Sequence, residues 1–297
     1  MQKAFYYFLG LILLLGFFSN VTFAASEAKS FSGEFQVGQT VYVFGDKVNI
    51  RQSASANSPV VGQAKIGQAL VVKEKSSATF QVDGFEDYWY KVSSPKASSK
   101  PISGFIWGGI LAKVSLNEDL DNDGKKELVL LGIIGKGKEQ TNKNAEVRLL
   151  KNDLLVSKVL FPTIESADGH QFTYSLEANL LENKGFKPAV KILRFYFHYD
   201  ACDYASGDVL LTANDNKLKY ALSALSSGNE LGSQSFIYVL PTDKNGKENQ
   251  LKVIETIEEF EEKTNPKAKE VQMVSKAKKE SSKIYVWNGN ELKLNKK

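Results

Sequence analysis

Short β-branched and aromatic runs, most of them separated by Gly, Asn, Pro or Ser clusters, recur along this chain and point to strands joined by turns. From Thr40 onward they fall at residues 41–43, 60–63, 70–74, 89–92 and 104–107. Runs of this length and spacing are too short for stable helices and suit successive antiparallel strands. A small closed or half-closed barrel is the expected product over residues 40–112.

The remainder, residues 113–297, has the same character. Arg194 to His198 is aromatic and β-branched, and residues 189–197 alternate imperfectly between charged and apolar positions. Apolar runs stop at hairpin-type turns: 147–150 before Asn152-Asp153, 209–212 before Asn214-Asp215, and 284–287 before Asn288-Gly289. Each of these units pairs an apolar strand with a returning strand that bears Leu154, Leu218 or Leu292. Such self-similarity is a propeller signal, but a full propeller takes about four to eight four-stranded blades, more than this segment holds. The fold class expected is therefore mostly β: a small barrel, then a larger antiparallel domain of truncated propeller-like or sandwich form. Residues 251–257 read as strand, despite the helix formers of 258–263. The lysine-rich stretch 263–283, interleaved with glutamate, reads as a solvated loop.

The start of the chain carries an export signal. Lys3 supplies a basic n-region, residues 4–18 an apolar core, and Thr22 and Ala24 the small residues that a signal peptidase requires. Residues 1–24 are expected to be removed, and polar residues 25–39 to form a linker. The apolar run is shorter than the roughly 20 residues that span a bilayer, so no membrane span is expected after cleavage. The single cysteine, Cys202, lies far from the cleavage site, which predicts a protein without lipid anchor or intrachain disulfide, periplasmic or extracellular. Its cores must then hold the fold unaided. The 38 Lys and Arg against 34 Asp and Glu make too weak an excess to predict a nucleic-acid partner.

Five strings within residues 40–112 carry a family resemblance. Val48-Asn49-Ile50-Arg51, Ser58-Pro59-Val60-Val61-Gly62, Ile66-Gly67-Gln68-Ala69-Leu70, Trp89-Tyr90-Lys91-Val92 and Gly104-Phe105-Ile106-Trp107 resemble, in content and order, the bacterial Src-homology-3 pattern. The segment departs from it in an enlarged loop over residues 93–103. The resemblance implies a small barrel associated with the cell wall, engaging envelope peptide, peptidoglycan or a protein ligand. The aromatics Tyr42, Tyr88, Trp89, Tyr90 and Trp107 are the candidate binding surface, because rings give large contact area at small entropic cost. Trp89 and Trp107 lie within strand motifs and also suit a barrel core. Tyr42 and Tyr88, beside turns, are better placed for the surface.

The sharpest chemical motif is Asp119-Leu120-Asp121-Asn122-Asp123-Gly124-Lys125-Lys126-Glu127. Asp119, Asp121, Asp123 and Glu127 can turn carboxylates onto one hard cation, with the Lys125 carbonyl as a further oxygen and Gly124 at the tight turn. A helix–loop–helix calcium site would need Glu at the twelfth position, which is Leu130. The string instead resembles the Asp-rich loop of integrin-type (FG-GAP-like) propeller repeats, which implies structural calcium. A hydrated Asp-Gly turn before a strand is the other reading of the same residues. Asp243-Lys244-Asn245-Gly246 is a weaker echo.

Catalysis has thinner support. Cys202 sits among His198, Asp200 and Asp203, and bacterial Src-homology-3 domains accompany cell-wall peptidases that use a catalytic cysteine. In those enzymes the histidine follows the cysteine, whereas His170 and His198 precede Cys202. Neighbouring acids also raise a thiol's pKa and suppress the nucleophilic thiolate. The chain lacks a Gly-x-Ser-x-Gly elbow, a phosphate-binding Gly-Lys-Ser loop and a His-Glu-x-x-His motif. The expectation is a non-catalytic binding or scaffolding protein of the bacterial envelope. The alternative is a cell-wall hydrolase using Cys202 or an acid pair.

Overall fold

The computed structural model describes residues 29–96, 101–134, 144–162, 174–181, 184–199, 206–229, 231–265 and 270–296. Residues 1–24, read above as an export signal, the centre of the enlarged loop, His170, Asp200, Cys202 and Asp203 lie outside them. Nineteen strands and one 3-10 turn make up the regular structure of the described residues, and none of their helices is long and apolar enough to cross a membrane.

The mostly β expectation holds. β2 (Thr40–Tyr42), β3 (Lys47–Arg51), β4 (Val60–Lys65), β5 (Ala69–Val82), β6 (Phe85–Ser93) and β7 (Ser103–Trp107) form a six-stranded antiparallel sheet in the order β2-β5-β6-β7-β3-β4. This sheet curls into a half-barrel. The 3-10 turn Gly108–Ile110 brings the chain back beside β2, where Phe44 N–H donates to Ile110 O and Ala112 N–H to Tyr42 O. Gly104 and Gly109 are fixed by close approach: a Cβ would stand 2.5 Å from Arg51 O at the first and 2.3 Å from the Trp107 ring at the second.

β8 (Val114–Glu118), β9 (Glu127–Ile134), β10 (Asn144–Lys151) and β11 (Leu154–Pro162) form a four-stranded sheet. The third sheet has nine strands. It joins β1 (Lys29–Ser32) to β12 (Tyr174–Leu181), β13 (Lys191–Tyr199), β14 (Ser206–Asn214), β15 (Lys217–Asn229), β16 (Gly232–Val239), β17 (Gln250–Asn265), β18 (Glu270–Trp287) and β19 (Leu292–Leu294). Strand β14 is buried at seven consecutive positions, as expected of a strand covered on both faces. One face, with Phe195, Phe197, Val209 and Leu211, belongs to a core that also holds Val129, Leu131 and Val147 of the four-stranded sheet. The other, with Ile192, Leu210 and Leu222, packs against Leu251, Val253 and Trp287. Phe161 meets Phe197 edge-on between the sheets, at 6.2 Å between centroids. This is the face-to-face packing of a sandwich.

Three sequence expectations need correction. The linker of residues 25–39 contains β1, which pairs antiparallel with β12, and its Phe31 and Phe35 are buried. Two aromatic side chains in a polar stretch were enough to anchor it. The lysine-rich stretch 263–283 is mostly strand, since β18 pairs with β17 along nearly its whole length. Cross-strand partners such as Glu258 and Lys278 make a charged hairpin ladder out of what reads as a solvated run. The turn expected at Asn214-Asp215 falls one residue later, at Asp215-Asn216, both with positive φ. Asn152-Asp153, also both at positive φ, stands where expected. Residues 251–257 are strand, within β17.

The boundary drawn at residue 112 crosses a continuous core. Barrel residues Val41, Ile50, Leu70, Tyr90 and Ile106 belong to the same buried cluster as Leu116, Val129 and Phe195. Lys113, just beyond the barrel, is 3% exposed. Its ammonium pairs with Asp87 of β6 and donates to Gly108 O at 3.0 Å. The rings of Phe31, Phe35 and Phe85 stand 5.2, 5.0 and 5.4 Å from Lys113 Nζ, a cation held among aromatic faces.

Candidate metal centre and ligand cleft

The acidic loop between β8 and β9 is folded by its own carboxylates. Asp119 Oδ2 accepts from Gly124 N–H at 3.0 Å, Asp121 Oδ1 from Asp123 N–H at 3.3 Å, and Asp123 Oδ1 from Lys125 N–H at 2.8 Å. Asn122 and Gly124 take positive φ, 61° and 84°, which lets the chain turn tightly enough for these short-range bonds. Glu127, the first residue of β9, is 1% exposed, and its Oε2 accepts from Leu120 N–H at 2.8 Å.

Three of the five predicted ligands converge. One carboxylate oxygen from each of Asp119, Asp121 and Glu127 lies within 4.8 Å of the other two. Oxygens bound to one calcium at about 2.3–2.6 Å stand no more than about 5.2 Å apart, so the spacing fits a single ion. Asp119 Oδ1 and Glu127 Oε1 are buried without a hydrogen-bond donor, the kind of acceptor that a cation satisfies. Asp123 is outside this convergent set, its oxygens turned to Lys125 N–H and to Lys151.

Lys151, unnoticed in the sequence, ends β10 and reaches into the loop. Its ammonium pairs with Asp121, lies 2.8 Å from Asp123 Oδ2 and 3.7 Å from Glu127 Oε1. The hydrogen bond from Lys151 holds the Asp121 and Asp123 carboxyls below the usual carboxylate range, and those same partners push the Lys151 ammonium up. The chain thus supplies a cation of its own to the loop. The sequence signal for it is slight: a single Lys closing an apolar run before the Asn152-Asp153 turn.

The five candidate ligand-binding aromatics separate. Trp89, Tyr90 and Trp107 are 4%, 0% and 7% exposed, which removes them from any surface. Tyr90 meets Phe35 edge-on at 5.3 Å, and its hydroxyl accepts from Phe35 N–H at 3.4 Å. Trp107 Nε1 donates to Asp87 O at 3.1 Å, and Phe80 packs on both tryptophans. Trp89 and Tyr90, adjacent and on opposite faces of β6, are therefore both covered, which alternation within the barrel alone does not foretell. Tyr88 is half-buried, with Lys75 Nζ 3.7 Å from its ring centre. Tyr42 and Tyr88 sit opposite Ala69 and Thr79, toward the two ends of β5, and do not share a groove.

Tyr42 does line a cleft. With Lys29, Gln39, Thr40 and Ser115 it borders a cavity of about 220 Å³ where β1 and β8 meet the barrel. The linker strand completes that cleft, so the site is made from three parts of the chain. In the nine-stranded sheet, Arg194 Nε stands 2.7 Å from Asp208 Oδ1, and burial pushes the Asp208 carboxyl up despite that guanidinium. His198 Nδ1 lies 3.1 Å from Ser206 Oγ. No family model, curated protein or solved structure matches this chain.

Proposed function

We propose that the chain is an exported, non-catalytic binding or scaffolding protein of the bacterial envelope. Residues 40–112, which resemble a bacterial Src-homology-3 domain, engage cell-wall peptide or another envelope ligand. The observation that carries this reading is the cleft at Tyr42, lined by Tyr42 and Phe35 together with the polar residues Lys29, Gln39, Thr40 and Ser115. An aromatic platform with a few convergent polar groups suits a short peptide or a sugar, the ring supplying area and the polar groups orientation.

Calcium belongs to this reading as a structural ion. Asp119, Asp121 and Glu127 would hold it, and its charge would satisfy the two buried oxygens that lack donors. The ion would pin the entry to β9, whose Val129 and Leu131 lie in the core shared with the barrel. In that role it stiffens the body against which the cleft is built.

Co-sedimentation of the chain with purified peptidoglycan tests the proposal. The expected outcome is saturable binding that Tyr42→Ala weakens at a temperature where the variant, which also loses its packing on Phe44 and Leu130, remains folded by circular dichroism. Binding unchanged in Tyr42→Ala would remove the cleft from the account, and no binding at all would remove the cell wall as the ligand.

A further inference from the structure

The hairpin of β17 and β18 reaches beyond the rest of its sheet. β16 ends opposite Glu259, yet β17 and β18 stay paired to Asn265 and Glu270. On its other side β18 meets only the short β19, from Tyr285 to Trp287. Among the described residues, nothing pairs with the outer edge of β18 before that point. Every residue from Ser275 to Lys283 is exposed, so this stretch has no core of its own on either face. A two-stranded ribbon alone is marginally stable in water, and a third strand is what ordinarily secures it.

The ladder shows which backbone groups face outward. Trp287 N–H donates to Asn249 O on the β17 side, while Ile284 O accepts from Asn295 N–H on the β19 side. Orientation alternates along a strand, so Lys278, Glu280 and Ser282 turn their N–H and C=O groups to the open edge. Lys276 and Lys278 stand 3.7 and 3.4 Å from Glu259 and Glu280, whereas Lys279 and Lys283 outnumber Glu255, which lies opposite Ser281 between them on β17. Lys279 and Lys283 share one face of the strand, two steps of the pleat apart.

We propose that this edge of β18 is a docking site for an acidic extended polypeptide segment, which adds to the sheet as a further strand. The partner's backbone bonds to Lys278, Glu280 and Ser282, and its carboxylates at alternate positions face Lys279 and Lys283. Charge complementarity selects this occupant. A second copy of the chain would set an excess of positive charge against the same excess, which opposes self-pairing.

The test uses a synthetic peptide of about nine residues, the length of a short strand, alternating Glu with Val and Thr. Its binding to the chain is followed by fluorescence anisotropy, and backbone protection by amide hydrogen exchange. The expected result is saturable binding with slowed exchange at Lys278, Glu280 and Ser282. Glu280→Pro should abolish it, because proline removes an outward N–H without breaking a bond to β17. The pair Lys279→Glu with Lys283→Glu should weaken it about tenfold or more, and should let a Lys-for-Glu version of the peptide bind instead. Three results would overturn the proposal. The first is no binding, which leaves the lysines as guards against aggregation. The second is equal binding of a peptide methylated at alternate backbone nitrogens, which means charge attraction without strand addition. The third is self-association of the chain through β18.

Discussion

Replacing Lys113 with methionine tests whether the barrel and the sandwich are one cooperative body. The substitution keeps most of the side-chain volume but removes the ammonium that pairs with Asp87, at a site where the two side chains are 1% and 8% exposed. Asp87 would then keep a buried charge whose remaining support is the Tyr88 N–H bond to Oδ1 at 2.7 Å. Breaking such a pair from one side costs about 3–5 kcal/mol. For a chain of this size that lowers the melting temperature by roughly 6–20 °C. Urea unfolding followed by circular dichroism measures the cost, and Asp87→Leu in the Lys113→Met background completes the cycle. The double variant should recover to within about 1 kcal/mol of the parent, because two apolar side chains replace a desolvated ion pair at little or no loss. A cost below about 1 kcal/mol for Lys113→Met, or a double variant that loses the sum of the singles, would refute the reasoning.

Other outcomes follow from the same geometry. Millimolar calcium should raise the melting temperature by about 3–6 °C if the loop binds with the affinity of extracellular calcium modules. Asp121→Ala should abolish that response, and Lys151→Met should enlarge it by removing the competing ammonium; no calcium response in either the parent or Lys151→Met would count against the metal. Glu255, whose carboxyl is held low first by the Gln234 side chain and then by Ser281, should titrate by NMR below the free Glu value of about 4.3. Its contribution to stability is present above that value and lost as pH falls through the lowered one; a titration at or above about 4.3 would contradict the two hydrogen bonds. Gly132→Ala should cost about 1–3 kcal/mol in a urea titration, since the added Cβ would stand 2.5 Å from the Phe44 ring, and a neutral result would show that Phe44 gives way freely.

Strand content was legible wherever apolar runs met turn residues, and the positive φ values at Asn152 and Asp153 match the turn read there. Long-range cover was not legible. Local alternation cannot foresee that Phe35, far from β6 in sequence, covers Tyr90, or that Phe80 closes over Trp89 and Trp107. The acidic loop was readable because its ligand spacing is local, and Asp119, Asp121 and Glu127 do converge. Lys151 was not, because it reaches the loop from the neighbouring hairpin, 30 residues from Asp121. The charged run after Lys263 misled for a related reason: alternating Glu and Lys describes a solvated loop and a two-stranded ribbon equally well until cross-strand register is known.

Incubating the purified chain with peptidoglycan, and assaying the pellet for protein and the supernatant for released fragments, tests the binding account most directly. The account predicts saturable co-sedimentation with no fragments released above the protein-free control. Steady release of fragments that Cys202→Ser abolishes would contradict it and establish a hydrolase.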